Sequence, residues 1–103
     1  EQAAPSATPA QKMRVRWTEN ARHDLVRLES FLSPVNELAA ARVVRMLVSA
    51  PDKLLGMPRM GERVEEIPDR EVRRMLAAPY ELLYEILPDE IAILRVFHTR
   101  EAR

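Results

Sequence analysis

The C-terminal part of the chain constrains the fold most, because it contains two apolar runs on either side of a polar turn. The first run, YELLYEIL, has the two-residue period of a β-strand, which places Tyr80, Leu82, Tyr84 and Ile86 on one face. In the turn PDE, the proline fixes its own φ angle, and the aspartate side chain can form a hydrogen bond with the nearby backbone. The second run, IAILRVFH, is apolar on both faces, which is typical of a strand in the middle of a sheet. The sequence therefore predicts a hairpin whose second strand is central.

Upstream of this hairpin, the hydrophobic period changes from that of a strand to that of a helix. The segment MRVRW alternates, which predicts a short strand with one buried face. Thr18 then occupies the position of a helix N-cap, and SPVN ends the helix that follows. Asn36 begins a second helix, which should bend or restart at Pro51. The apolar stripe of the first helix consists of Ala21, Leu25, Leu28 and Leu32.

The order strand, helix, helix, strand, strand, strand predicts an α+β fold. We expect an N-terminal strand, an antiparallel helical hairpin packed on one face of a small sheet, and a three-stranded C-terminal meander. Residues 56–69 are predicted to be a loop, and residues 70–77 the first strand of the meander. The residues that we expect to be buried between the helices and the sheet are Leu25, Leu28, Val44, Leu47, Tyr84 and Val96.

Length and composition indicate one domain without a metal or cofactor site. The chain has 103 residues, no cysteine and two histidines, so a site for a metal would have to rely on carboxylates. Residues 1–12, EQAAPSATPAQK, lack a hydrophobic period and are expected to be a flexible leader or a remnant of cloning. Residues 13–103 are expected to form the domain, in the cytoplasm, because no targeting signal or membrane span is present.

Charge argues against a protein that coats nucleic acid. Lysine and arginine together number 16, as do aspartate and glutamate, so the formal net charge is zero. Nucleic-acid coats normally carry a basic excess. A local basic patch is still possible, because Arg greatly outnumbers Lys and its planar guanidinium suits carboxylates and phosphates.

Several short motifs lie in a characteristic order between residues 13 and 100. They are W-T-x-x-A-x-x-D-L, P-x-M-G, R-E-V, P-Y-x-x-x-Y and R-V-x-H-x-R. In their order and spacing these motifs resemble the ParE/RelE superfamily of bacterial type II toxins. The residues that carry the resemblance are Trp17, Thr18, Ala21, Asp24, Leu25, Pro58, Met60, Gly61, Arg70, Glu71, Val72, Pro79, Tyr80, Tyr84, Arg95, Val96, His98 and Arg100.

The resemblance implies a toxin that a small, partly disordered antitoxin neutralises, with the antitoxin itself binding DNA and the two forming a hetero-oligomer. ParE-like members inhibit DNA gyrase, whereas RelE-like members cut messenger RNA on the ribosome. The ParE-like branch is favoured here, because the C-terminal Tyr and the Lys pairs of the ribonucleases are missing from the sequence. Two alternatives stay open: a RelE-like endonuclease, and a degenerate relative that only binds its antitoxin.

The resemblance also suggests which residues bind the partners. The candidates for contact with the target or partner are the basic residues of the C-terminal strands, namely Arg73, Arg74, Arg95, His98 and Arg100. If the chain is a ribonuclease, the catalytic candidates are His98, Arg74 and Arg95. The candidates for contact with an acidic antitoxin segment are Arg14, Arg16 and Arg42.

Overall fold

The computed structural model describes residues 13–101, so the predicted leader lies outside the described residues. Strands and helices follow the predicted order, and the fold is α+β. The elements are β1 (Arg14–Trp17), α1 (Glu19–Leu32), α2 (Glu37–Ser49), two short 3₁₀ helices (Ala50–Leu55 and Pro58–Met60), β2 (Glu62–Arg63), β3 (Val72–Ala77), β4 (Tyr80–Ile86) and β5 (Glu90–His98).

The five strands form one mixed sheet in the order β1-β5-β4-β3-β2. Strand β1 pairs parallel with β5, and the other pairs are antiparallel. The prediction of a central last strand is confirmed, because β5 lies between β1 and β4. The C-terminal meander is also confirmed. Strand β2 falls within the segment that was predicted to be a loop, and it consists of only two polar residues, too few for an alternating pattern to show.

Both helices begin at the predicted caps. The Thr18 hydroxyl accepts a hydrogen bond from the backbone N–H of Ala21 at 3.2 Å, and the Asn36 side chain accepts one from Ala39 at 3.0 Å. The second helix ends at Ser49, and the chain continues as a 3₁₀ helix that contains Pro51. The predicted restart is therefore confirmed, since a proline cannot donate to the α-helical ladder.

The helices cover one face of the sheet, and the core lies between them. Of the six residues expected there, Leu28, Leu47, Tyr84 and Val96 are buried. Leu25 and Val44 are only half-buried. Leu25 borders an open groove beside β1, and on α2 it is the neighbouring Val43 that packs against the core.

The other face of the sheet carries ion pairs between arginine and glutamate. The distances are 2.8 Å for Arg16–Glu90, 2.6 Å for Arg70–Glu85 and 3.5 Å for Arg74–Glu81. Each pair is electrically neutral, so these three arginines add no net charge to that face.

Tyr84 ties the segment before β2 to the sheet. Its buried hydroxyl donates to the carbonyl oxygen of Pro58 at 2.6 Å and accepts from the N–H of Gly61 at 3.0 Å. The backbone at Gly61 is so close to the sheet that a Cβ atom there would lie 2.5 Å from the Arg74 carbonyl oxygen and 2.7 Å from the Tyr84 hydroxyl. Glycine is needed at this position because of that close approach.

A pair of glycine substitutions tests this contact. Gly61→Ala should lower the free energy of unfolding by about 1–3 kcal/mol, because the backbone must move away from β3. Gly56→Ala is the matched control, since a Cβ atom there has nothing within 4 Å, and its effect should stay within about 0.5 kcal/mol. Urea unfolding of both variants measures the difference, and equal effects at the two sites would contradict the close approach.

Candidate functional site

Helix α1 completes the edge of β5 beyond the end of β1. The register between the two strands stops at Trp17 opposite Ile93, and within residues 13–101 no strand pairs with the rest of that edge of β5. The Thr18 hydroxyl lies 2.8 Å from the Ile93 carbonyl oxygen and 3.2 Å from that of Leu94. The Asp24 carboxylate then accepts the backbone N–H of Val96 at 2.8 Å. Side chains of α1 therefore satisfy backbone groups that a longer β1 would otherwise have bound.

Asp24 also binds a side chain of β5. Its carboxylate accepts two hydrogen bonds from Arg95, at 2.8 and 3.1 Å, and lies 3.6 Å from Arg27. Burial alone would raise the pKa of Asp24, but the hydrogen bonds from Arg95 and Val96 and the two nearby charges outweigh it, so the pKa lies below its usual value. Asp24 is therefore ionised at neutral pH, and it fixes the position of Arg95.

A cleft of about 540 Å³ opens between the second half of α1 and the ends of β4 and β5. Both His98 and Arg100, two of the predicted contact residues, border it. Its lining residues are Arg27, Leu28, Phe31, Leu32, Tyr80, His98, Arg100 and Glu101. We call it the C-terminal cleft.

His98 is held in the C-terminal cleft by three contacts. Its Nδ1 accepts the backbone N–H of Arg100 at 3.1 Å, and its own backbone N–H donates to Glu101 at 2.6 Å. Its ring meets that of Tyr80 edge to face, with 5.4 Å between the centroids. Because Nδ1 is an acceptor, a neutral His98 must carry its proton on Nε2, where it is a donor.

Glu101 closes one side of the C-terminal cleft. One carboxylate oxygen accepts from His98 and the other from Arg27. Burial would raise the pKa of Glu101, but these hydrogen bonds and the charge of Arg27 lower it. Burial, and to a smaller extent the Glu101 charge, raises the pKa of Tyr80, so its hydroxyl keeps its proton.

The other candidate target-binding residues lie apart from this cleft to different degrees. Arg95 lies next to the cleft without lining it. It binds the same Asp24 carboxylate as Arg27, which is one of the lining residues. Arg73 lies on the helix-covered face and donates to the Gly61 carbonyl at 2.7 Å and to Glu71 at 3.1 Å. Arg74 lies on the opposite face. The structure therefore gathers Arg95, His98 and Arg100 at one end of β5 and leaves Arg73 and Arg74 elsewhere.

The three residues expected to bind the antitoxin do not share one surface. Arg14 and Arg16 line a groove of about 490 Å³ beside β1, together with Trp17 and Leu25. Arg16 is paired there with Glu90 at 2.8 Å. Arg42 is exposed on α2 and does not line this groove. We call the groove that Arg14 and Arg16 line the β1 groove.

Sequence reasoning gave Asp24, Glu101 and Tyr80 no part in the site. Asp24 offered a signal, because it lies three residues after Ala21 and four before Leu28, on the apolar side of α1. The alternation placed Tyr80 on the same face of its strand as Tyr84, and Tyr80 is indeed buried, but it also lines the C-terminal cleft. Glu101 offered no pattern, because it follows the last strand.

Comparison with known proteins places this arrangement in a family. The fold, a helical hairpin on one face of a mixed sheet, is that of the ParE/RelE-like toxins. A family model described as "ParE toxin of type II toxin-antitoxin system, parDE" matches residues 15–103, so the chain belongs to the ParE toxin family and is a toxin of a type II toxin–antitoxin system. A comparison with curated proteins found no match.

Two solved structures share the fold. One is described as "Chromosomal ParDE TA system from P. aeruginosa", with 25% identity over 85% of this chain and 97% of that chain, at a TM-score of 0.72. The other is the toxin–antitoxin complex RelBE2 from Mycobacterium tuberculosis, with 28% identity over 84% of this chain and 98% of that chain, at a TM-score of 0.62. Among residues 13–101, no helix is both long and apolar enough to cross a membrane.

Replacing Asp24 should change the pH dependence of stability. Because the folded-state pKa of Asp24 is lowered, the stabilisation is present above the unfolded pKa and is lost as pH falls through the folded value. Asp24→Asn should cost about 1.5–3 kcal/mol at pH 7, and the cost should shrink as pH falls below the ordinary aspartate pKa of about 3.9. The measurement is urea unfolding at several pH values.

The control for this substitution is Asp69→Asn, at an exposed aspartate, which should leave both the stability and its pH dependence nearly unchanged. A loss in Asp24→Asn that was the same at pH 3 and pH 7 would show that the carboxylate charge is not what stabilises the fold.

Proposed function

We propose that this toxin inhibits DNA gyrase by binding it, and that a cognate antitoxin neutralises it. The observation that carries the proposal is the pairing of the arginines. Arg95 is hydrogen-bonded to Asp24, and Arg74 lies 3.5 Å from the Glu81 carboxylate, so the charge of each arginine is already opposed by a carboxylate of the chain. RNA cleavage needs a proton-transfer pair and a cationic clamp around one phosphate. A surface that binds a protein needs no such convergence.

The antitoxin partner is supported by the two structural relatives, whose descriptions name toxin–antitoxin assemblies. We propose a small, partly disordered and DNA-binding antitoxin that forms a hetero-oligomer with this chain in the cytoplasm. Arg14 and Arg16 in the β1 groove, and Arg42 on α2, are proposed contacts for its acidic segment. The predicted target contacts are Arg73, Arg74, Arg95, His98 and Arg100, and only the last two line the C-terminal cleft.

One observation favours a second candidate, a RelE-like messenger-RNA endonuclease. The C-terminal sequence lacks the tyrosine of that branch, but the fold brings Tyr80 against His98. In this pair Tyr80, whose pKa is raised by burial, keeps its proton and could donate it to a leaving oxygen, and the His98 ring lies beside it. The degenerate relative without toxicity is the third candidate, because a fold can persist after its activity is lost.

Two assays with the purified chain separate these candidates. The first is supercoiling by gyrase with added toxin, and the second is primer extension on messenger RNA in a translating extract. We expect inhibition of supercoiling and no RNA cuts. An exposed-histidine control, His23→Ala, should behave as the unmodified chain does in both assays.

Cuts at defined codon positions that vanish in His98→Ala and persist in His23→Ala would overturn the gyrase proposal and establish the enzyme. Silence in both assays, with the antitoxin still bound, would establish the non-toxic relative.

A further inference from the structure

We propose that the β1 groove binds a nucleotide, with the base against Trp17 and the phosphates at Arg14 and Arg22. The inference goes beyond the function proposed above, because it concerns the toxin without its antitoxin and does not depend on what the toxin inhibits. It rests on the arginines of the groove that have no carboxylate partner, on the aromatic ring in its wall and on its volume.

The β1 groove has an excess of positive charge. Three arginines and one glutamate line it, so its lining residues have a net charge of +2. Glu90 binds Arg16 at 2.8 Å, which leaves Arg14 and Arg22. Both of these side chains are exposed, and among residues 13–101 neither forms an ion pair or a hydrogen bond. The groove therefore holds two guanidinium groups that are free to bind an anion.

The two free arginines belong to different elements. Arg14 is the first residue of β1, and Arg22 lies in the first turn of α1. The planar fork of a guanidinium group can bind two phosphate oxygens at once, and such hydrogen bonds are stronger than those between neutral groups. A ligand with two linked phosphates can therefore contact both elements.

Strand β1 adds backbone donors. The N–H of Thr18 donates to the carbonyl oxygen of Ile93 at 3.1 Å, and successive residues of a strand direct their N–H groups to opposite sides. The N–H groups of Val15 and Trp17, two residues that line the groove, therefore point away from β5. In the part of the chain that the structure describes, no strand pairs with that side of β1. Backbone N–H groups of this kind bind anions in other proteins.

Trp17 gives the β1 groove a flat apolar surface. Its ring is half-buried and packs against the core, so it is held in place while part of it stays accessible. Leu25 and Val48, which is 47% exposed, are the apolar side chains of the helices that line the groove. Nucleic-acid bases stack on aromatic side chains, and a volume of about 490 Å³ falls within the range of small-ligand sites.

A single nucleotide matches this lining better than its parts or a long strand. Pyrophosphate would leave the apolar wall uncovered, and a nucleoside would leave Arg14 and Arg22 without an anion. A groove that follows a strand needs cations for many phosphates, whereas this one has two that are free. The ligand is therefore one nucleotide, either free or at the end of a single strand. It would share Arg14 with the antitoxin segment proposed above, so it would bind the toxin when the antitoxin is absent.

The test is a titration of the full chain, without antitoxin, with ADP as the probe. Trp17 is the only tryptophan in the sequence, so its fluorescence reports directly on the β1 groove. After correction for absorption by the nucleotide, we expect a saturable change in fluorescence and a dissociation constant that rises with added salt. Adenosine and pyrophosphate each supply one part of the ligand and should bind at least about tenfold more weakly.

Substitutions of exposed arginines show where the probe binds. Arg14→Gln and Arg22→Gln should each raise the dissociation constant of ADP about five- to tenfold, because each removes one charged contact to phosphate. Arg45→Gln is the matched control, since Arg45 is exposed on α2 and does not line the groove, and its effect should stay within about twofold. Urea unfolding checks that the three variants remain as stable as the unmodified chain.

A second titration separates the two sources of the nucleotide. The probe is a 5′-phosphorylated single-stranded DNA of about ten nucleotides, within the length that single-strand sites bind. Tighter binding of this strand than of ADP would assign the groove to a strand end, and tighter binding of ADP would assign it to a free nucleotide. Either result supports the site when Arg14→Gln weakens the binding.

Three results would overturn the inference. The first is the absence of a saturable change in Trp17 fluorescence up to about 10 mM ADP. The second is binding of adenosine or pyrophosphate as tight as that of ADP, and the third is an equal dissociation constant in Arg14→Gln and Arg45→Gln. None of these measurements contains gyrase, a ribosome or an antitoxin, so failure of the nucleotide site is distinct from failure of the proposed function.

Discussion

The arrangement of this fold depends on the hydrogen bonds that the Asp24 carboxylate of α1 accepts from β5. Strand β5 is central, but its parallel neighbour β1 ends at Trp17, and beyond that point the β5 edge would expose unpaired backbone groups. Asp24 accepts the N–H of Val96 and binds Arg95, so α1 takes over where β1 stops. Because a buried backbone donor without a partner is costly, this contact fixes α1 against the sheet.

The same contact determines where the candidate site lies. Once Asp24 fixes α1, the next turn of the helix brings Arg27 to Glu101 and places Phe31 beside Tyr80 and His98. The C-terminal cleft is therefore a consequence of how the β5 edge is completed. Most arginines near it are neutralised by carboxylates of the chain, which is consistent with a net charge of zero and with a surface for a protein partner.

Local signals predicted most of the fold from the sequence. The caps at Thr18 and Asn36, the restart at Pro51 and the central β5 each depend on residues that are close in the chain, and each is confirmed. The two-residue β2 was missed, because its pairing with β3 rather than its own composition makes it a strand.

The site was harder to predict, because its contacts join distant residues. Asp24 and Arg95 are 71 positions apart, and Arg27 and Glu101 are 74 apart, so no spacing in the sequence links them. The candidate arginines were chosen for their charge, whereas the structure shows that most of them have carboxylate partners. His98 and Tyr80 meet only because the antiparallel register of β4 and β5 places them opposite each other. The roles assigned to these residues in binding stay predictions.

The most direct test of this account is amide hydrogen exchange at Val96 in the unmodified chain and in Asp24→Ala. If the carboxylate completes the β5 edge, the Val96 amide should be protected in the unmodified chain, and the substitution should speed its exchange by at least about tenfold relative to that of Leu82, inside β4. An unchanged ratio between the two amides would contradict the account, because the Val96 donor would then be protected by something other than Asp24.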